Sequence, residues 1–283
     1  MDYDDLERNI RAWCRAEAGI RAAIVVGSRA GGERVDAWSD LDIVVFADRP
    51  EAFAAEAGWM GQLGPVWLAV LDTTGANEPE WLALFEGGLK VDLVFTPASG
   101  AAGLAGMMQA APYRNVFRRG VRVLYDAGPA GAQAGQIITG SAPAEAGPPT
   151  AEAFEQAIAG TLMAVNKAAR LLARGELWRA QQHINCVLKT RLLTMITWRA
   201  KATARGPEPD TGYAGRHLEA WADAETVAAL PGTVGAYEAK ALRTALARTL
   251  DLYCRLGRET AEALGLAYPA AAEANLRAWL QEI

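Results

Sequence analysis

Histidine and cysteine are both scarce in this chain of 283 residues: there are two histidines in all, and three cysteines, Cys14, Cys186 and Cys254. So few histidines exclude a His-rich metal centre, and three scattered cysteines exclude a disulfide framework or a thiolate zinc site. The cysteines read as small buried hydrophobes in a reducing compartment, so the expected location is the cytoplasm. Long apolar runs are missing too. No stretch approaches the roughly 18 apolar residues of a membrane span, and the opening MDYDDLERNI is acidic and amphipathic where a secretory signal would be basic and then apolar. Nor is there an excess of basic charge: 28 Lys and Arg face 33 Asp and Glu, a formal net charge of -5. That balance argues against a nucleic-acid partner, which would need clustered Lys and Arg, and suits a cationic small molecule better.

What is present is a chain with two textures. The first half carries short apolar runs rich in β-branched residues, broken by Gly, Pro and Asp, which is strand punctuation. A helix is expected over 2–18, with strands near 22–26, 41–46, 66–71, 90–95 and 121–125. Residues 127–149 are dense in Gly and Pro and poor in large apolar side chains, as a linker would be. From Thr150, a plausible N-cap, Ala, Leu, Glu and Arg dominate at helical spacing. Helices are expected from 150 to a stop at Gly175, then over 176–205, 231–264 and 268–282. The fold class is therefore α+β: a mixed-sheet domain over 1–130, a linker over 131–149 and a helical bundle over 150–283.

Chemistry concentrates in residues 24–46, IVVGSRAGGERVDAWSDLDIVVF. An apolar strand runs into Gly27-Ser28, and twelve residues after Ser28 an Asp40-Leu41-Asp42 opens a second apolar strand. Side chains two apart on a strand share a face, so Asp40 and Asp42 project together. Carboxylates held that close repel unless a cation lies between them, and hard oxygen ligands suit Mg2+. Asp92, in the strand LKVDLVF, is a third acid where an unpaired carboxylate would be costly to bury. If its strand neighbours that of Asp42, the three converge into a metal site able to clamp a triphosphate. Gly27 lets the backbone approach a phosphate, Ser28 and nearby N–H groups can donate to it, and Arg29 adds a fork of donors.

VVGSR, SDLDIVVF and FEGGLKVDLVFTP together resemble the nucleotidyltransferase superfamily with a palm of the DNA polymerase beta type, and within it the bacterial aminoglycoside 6-adenylyltransferases that modify streptomycin. The segments RGELWRAQQHIN, LLTMITWR, YAGRHLEAW and LGLAYP are similar to that family's helical domain, so the resemblance covers nearly the whole chain. It implies transfer of AMP from ATP to an aminoglycoside hydroxyl, with release of pyrophosphate. Asp40, Asp42 and Asp92 would hold Mg2+, with Asp92 a candidate general base, and Gly27, Ser28, Arg29, Lys189 and Arg216 would contact the nucleotide. The chain departs from the family in Arg191, where an acidic residue is usual, and in Gly215-Arg216, where the family has Gly-Lys. The first departure reverses a charge: it matters if the position faces a cationic drug and not if it lies on a solvated helix face.

The helical half adds weaker signals. Glu176 reads as a helix-opening acid, His183 as a satisfied packing residue, and Trp178, Trp198, Trp221 and Trp279 as core residues of the bundle. A monomer or weak dimer is expected. Alternative functions are a lincosamide- or protein-modifying nucleotidyltransferase, and a nucleotide sensor of the same fold that no longer transfers; retention of all three carboxylates disfavours the sensor.

Overall fold

The computed structural model describes residues 1–31, 35–75, 77–99, 117, 120–128, 147–206, 209–212 and 214–282. The chain divides into two compact units, Met1–Glu145 and Ala146–Ile283. Most of the expected linker, residues 131–146, lies outside the described residues.

The first unit is built on a mixed sheet of six strands: β1 Ile20–Val26, β2 Leu41–Ala47, β3 Val66–Thr73, β4 Pro79–Phe85, β5 Leu89–Pro97 and β6 Val121–Asp126. They lie in the order β3-β4-β5-β2-β1-β6, with β2 and β5 parallel and the remaining neighbours antiparallel. Five strands match the expected ones, and β4 is additional. Its PEWLALF opens with Pro and Glu and is rich in Leu and Ala, which hides a period-two pattern of Trp81, Ala83 and Phe85 facing the core. Helix α1 (Tyr3–Ala16) starts at a capping box in which Asp2 and Asp5 each accept from the other's backbone N–H. It lays Leu6, Ile10, Trp13 and Cys14 on one face of the sheet, against Ile43, Val45, Val91, Leu93 and Phe95. Trp13 stacks on Trp59 at 4.5 Å, and Phe53 on Phe95 at 5.1 Å. Two short helices, α2 (Ser28–Gly31) and α3 (Pro50–Ala54), follow β1 and β2.

The second unit is helical among its described residues: α4 Ala151–Ala173, α5 Leu177–Gln182, α6 Leu188–Ala202, α7 Leu218–Trp221, α8 Ala224–Ala229, α9 Ala239–Leu264 and α10 Ala270–Leu280. Thr150 caps α4 by accepting from Ala153 N at 3.1 Å, and Gly175 follows its end in the left-handed region at φ 70°. Phe154, Ile158, Leu162 and Val165 of α4 pack with Leu188, Leu192 and Met195 of α6 and with Leu242, Leu246 and Tyr253 of α9. The single helix expected over 176–205 is interrupted by a π turn at His183–Val187. The expected helix start at 231 is a 3-10 turn, Leu230–Thr233, and α9 begins only at Ala239.

Two expectations for this unit are corrected. Cys186 is exposed rather than buried, and Trp178 is exposed, pairing edge-on with Tyr237 at 6.4 Å. The buried stripe runs through Ala180, Ile184, Leu188 and Leu192, so residues two positions off it, such as Trp178 and Cys186, point away. Glu176 stands at the N-cap position of α5, as expected of a helix-opening acid, and its carboxylate pairs with Arg174 and Arg179. Trp198, Trp221 and Trp279 do pack against the core, and His183 Nε2 lies 3.1 Å from Ala164 O. No described helix is long and apolar enough to cross a membrane.

Candidate functional site

The parallel pairing of β2 and β5 sets Asp42 opposite Asp92. Asp40 immediately precedes β2, and one oxygen from each of the three carboxylates lies within 4.8 Å of the others. The sequence folds this way because Leu41, Ile43 and Val45 of β2, and Val91, Leu93 and Phe95 of β5, all point into the core beneath α1. The alternate residues Asp42 and Asp92 must then share the other face. On the other side of β2, Val26 pairs with Asp42, so the chain leaves β1 into Gly27-Ser28 beside the same acids. Gly27 makes that exit at φ 73°, a conformation costly for a residue with a Cβ. Ser28 begins α2 as a buried residue.

Lys90, two residues before Asp92 on β5, brings a cation into the cluster. Its Nζ donates to Asp92 Oδ2 at 2.6 Å and to Asp40 Oδ2 at 3.4 Å. Burial pulls the Lys90 ammonium down, but its bond to Asp92 and the charges of Asp92 and Asp40 outweigh this and hold it above the usual lysine value. Asp92 is more enclosed than Lys90 or Asp40. Burial raises its carboxyl above the ordinary range, against the hydrogen bond and charge of Lys90. Its Oδ1 is buried with no hydrogen-bond partner. A buried carboxylate oxygen without a partner leaves Asp92 incompletely satisfied, and the oxygens of Asp40, Asp42 and Asp92 together fit a hard divalent cation. Glu80 adds a fourth acid from β4, where it pairs with Val94, one step along the face from Asp92. Burial and then the charge of Asp92 raise its carboxyl as well.

Arg29 is engaged differently from a free anion-binding fork. Its Nε donates to Ser39 O at 2.8 Å and its Nη2 to Asp36 O at 3.1 Å, which braces the turn leading into Asp40. Within that turn Ser39 Oγ donates to Asp36 Oδ1, which also accepts from Trp38 N. The Arg29 guanidinium lies 3.6 Å from the centre of the Tyr3 ring. Tyr3 Oη in turn accepts from Lys90 N at 3.1 Å and lies 3.4 Å from Lys90 O. One aromatic residue at the start of α1 thus supports both chain segments that deliver the carboxylates.

Lys189 and Arg216 belong to the helical unit. Lys189 Nζ is half-buried and donates to Ile184 O at 3.2 Å and Thr249 Oγ1 at 2.8 Å, both uncharged acceptors; burial pulls its pKa down to about 8. Arg216 sits in a turn where Ala214 and His217 take positive φ of 52° and 54°, and its carbonyl accepts from Trp221 Nε1. Arg191 is half-buried rather than on a solvated face. A Cβ on Gly160 would stand 2.9 Å from its Nη1, so glycine at that point of α4 makes room for the guanidinium.

The sequence reading missed Lys90, Tyr3 and Glu80. Lys90 was discoverable, because a Lys two residues from an Asp on a strand must share its face. Tyr3 was not, since its partner is 87 residues away.

A family model described as streptomycin adenylyltransferase matches residues 2–283. Among solved structures, the chain is similar to an aminoglycoside 6-adenyltransferase from Bacillus subtilis, with 16% identity and a TM-score of 0.47, covering 98% of this chain and 95% of that one. It is also similar to a nucleotidyltransferase-like protein from Exiguobacterium sibiricum 255-15, with 12% identity and a TM-score of 0.36, covering 91% of this chain and 76% of that one. No curated protein matches.

Proposed function

Since the chain belongs to the streptomycin adenylyltransferase family and is a nucleotidyltransferase, we propose that it transfers AMP from ATP to a hydroxyl of a streptomycin-like aminoglycoside in a Mg2+-dependent reaction. The observation that carries this is the β2–β5 register, which sets Asp42 against Asp92 with Asp40 close enough for all three to share a cation. Bound there, magnesium would supply Lewis-acid stabilisation of the charge that builds on the α-phosphate.

The chain's own residues divide the remaining work. The acceptor oxygen attacks the α-phosphorus, the bond from that phosphorus to the bridging oxygen of the β-phosphate breaks, and pyrophosphate leaves. Asp92, placed among the acids beside the attacking oxygen, takes the acceptor proton. Gly27 and Ser28, at the open end of β1, offer backbone and hydroxyl donors to the pyrophosphate. Arg29 serves the same nucleotide by fixing the turn that carries Asp40. Lys189 and Arg216, of the helical unit, are the further nucleotide contacts that the family resemblance implies. An anion would relieve Lys189, whose present acceptors are neutral. Glu80, outside the metal-ligand set, contributes negative charge toward a cationic acceptor.

The test is mass spectrometry of streptomycin incubated with the protein, ATP and Mg2+. A gain of one AMP, with matching pyrophosphate release, is the expected result. Nucleotide binding without release across a panel of aminoglycosides would instead support a sensor, and transfer to a lincosamide or a protein would move the acceptor class.

A further inference from the structure

Lys90 occupies the ground that a metal ion would claim. Its ammonium spans Asp40 Oδ2 and Asp92 Oδ2, two of the three acids whose oxygens lie within 4.8 Å of one another. We propose that Lys90 is an internal counter-ion to Asp40 and Asp92 in the absence of metal, and that a divalent cation must displace it in order to bind. The proposal rests on Asp40, Asp42 and Asp92 being the metal ligands.

Three observations support it. The contact to Asp92 is short, at 2.6 Å, and charge-assisted, so it removes one edge of that carboxylate from other use. The opposite oxygen, Asp92 Oδ1, is buried without a partner, so the ammonium satisfies the carboxylate only in part and leaves it better suited to a second, more highly charged ligand. Finally, the Lys90 side chain is 46% exposed, against 16% for Asp92. The acid is fixed while the lysine, on a flexible four-carbon stem with a strongly hydrated head, has open space to swing into. Without it, Asp40 and Asp92 would lose the ammonium that bridges them, with Asp42 in the same cluster and Glu80 adjacent on β4.

Two consequences follow. The acid cluster holds its shape without metal. A cation arriving alone must break the ammonium contact with no return, whereas one arriving with a triphosphate offers the displaced ammonium new oxygens. Metal and nucleotide should therefore bind together far better than metal binds alone.

The experiment is titration of the full chain with Mn2+ alone, followed by calorimetry and by the electron paramagnetic resonance signal of free Mn2+. The proteins compared are the wild type, Lys90→Met and Lys90→Arg. Removing the ammonium in Lys90→Met should tighten Mn2+ binding at least about tenfold, while Lys90→Arg stays at or below wild-type affinity. In metal-free buffer Lys90→Met should also melt below wild type and recover on adding Mn2+. Lys90→Gln repeats the measurement should Lys90→Met fail to give folded protein. Mn2+ bound by the wild type and no more tightly by either neutral variant overturns the counter-ion role alone. Absence of Mn2+ binding in all of them overturns it together with the metal assignment beneath it.

Discussion

Replacing Lys189 by methionine should stabilise the helical unit and at the same time weaken ATP binding. A pKa pulled down from 10.5 to about 8 corresponds to a penalty of at most about 3.4 kcal/mol for the charged form, at about 1.36 kcal/mol per tenfold. The side chain is only half-buried, so solvent screening reduces that to about 1–2 kcal/mol. Against it stands the loss of the bonds to Ile184 O and Thr249 Oγ1, which leaves no donor stranded. Thr249 Oγ1 still lies 2.7 Å from Ala245 O, and only acceptors lose a partner, at about 0.5–1 kcal/mol. Methionine fills a similar volume and buries apolar surface, so the net gain at pH 7 is about 1 kcal/mol, or roughly 3 °C in Tm. The pH dependence has a definite sign. Between about pH 8 and 10.5 the unfolded chain keeps the Lys189 proton and the folded chain has released it, so wild-type stability rises with pH. The advantage of methionine is full below pH 8 and fades as pH climbs to 10.5. Urea denaturation of both proteins at a series of pH values reads this directly, and ATP titration reads the functional half, with about a tenfold or greater loss of affinity. A variant that is less stable than wild type at pH 7 and binds ATP normally would refute the reasoning and make Lys189 a structural donor.

Asp40→Asn and Asp42→Asn should each lower AMP transfer by about 10³-fold or more, since each removes several kcal/mol of charge stabilisation, with an unchanged circular dichroism spectrum; near wild-type turnover from either sinks the assignment. Tyr3→Leu, which removes both the ring under Arg29 and the hydroxyl on Lys90 N, should lower kcat about tenfold by loosening two carboxylate-bearing segments. Tyr3→Phe, which keeps the ring, should retain more activity than Tyr3→Leu; equal losses would show that the ring contact does nothing. Glu273→Gln should cost about 2–4 kcal/mol in denaturant unfolding, because Glu273 is buried and accepts from Arg258, Arg277 and Tyr268. Burial raises the Glu273 carboxyl, but those partners outweigh it and hold it below the usual range, so its contribution is present above the unfolded pKa and lost as pH falls through the folded one.

The parts legible in the sequence are those where local pattern and burial coincide. Strands β1, β2 and β5 are largely apolar runs, Asp42 and Asp92 stand out in β2 and β5 as acids within them, and the structure pairs the two in register. Strand β4 escaped because Leu and Ala carry a helical bias that pairing with β3 and β5 overrides. The π turn at His183–Val187 escaped because an i→i+5 bond leaves no mark on composition. Arg29 shows a different limit. Its position beside Ser28 was plain, but whether its donors face a ligand or the carbonyls of Asp36 and Ser39 depends on how a turn folds back, which spacing does not encode.

The site geometry depends on register, and the core protects it. A slip of β5 by one residue would turn Val91, Leu93 and Phe95 away from α1 and bring Lys90 and Asp92 onto the core face in their place. At about 1.5–3 kcal/mol per large apolar side chain, the loss is roughly 5–9 kcal/mol before any cost of burying an ammonium and a carboxylate. That is comparable to the whole stability of an ordinary domain, about 5–15 kcal/mol. A slipped sheet is therefore not a populated alternative but an unfolded one. The hydrophobic residues alternating with Asp42 and Asp92 thus exclude a one-residue slip, while Asp40 relies on the turn braced by Arg29. It follows that truncating Leu93 or Phe95 should lower stability well before it lowers the turnover of the molecules that remain folded.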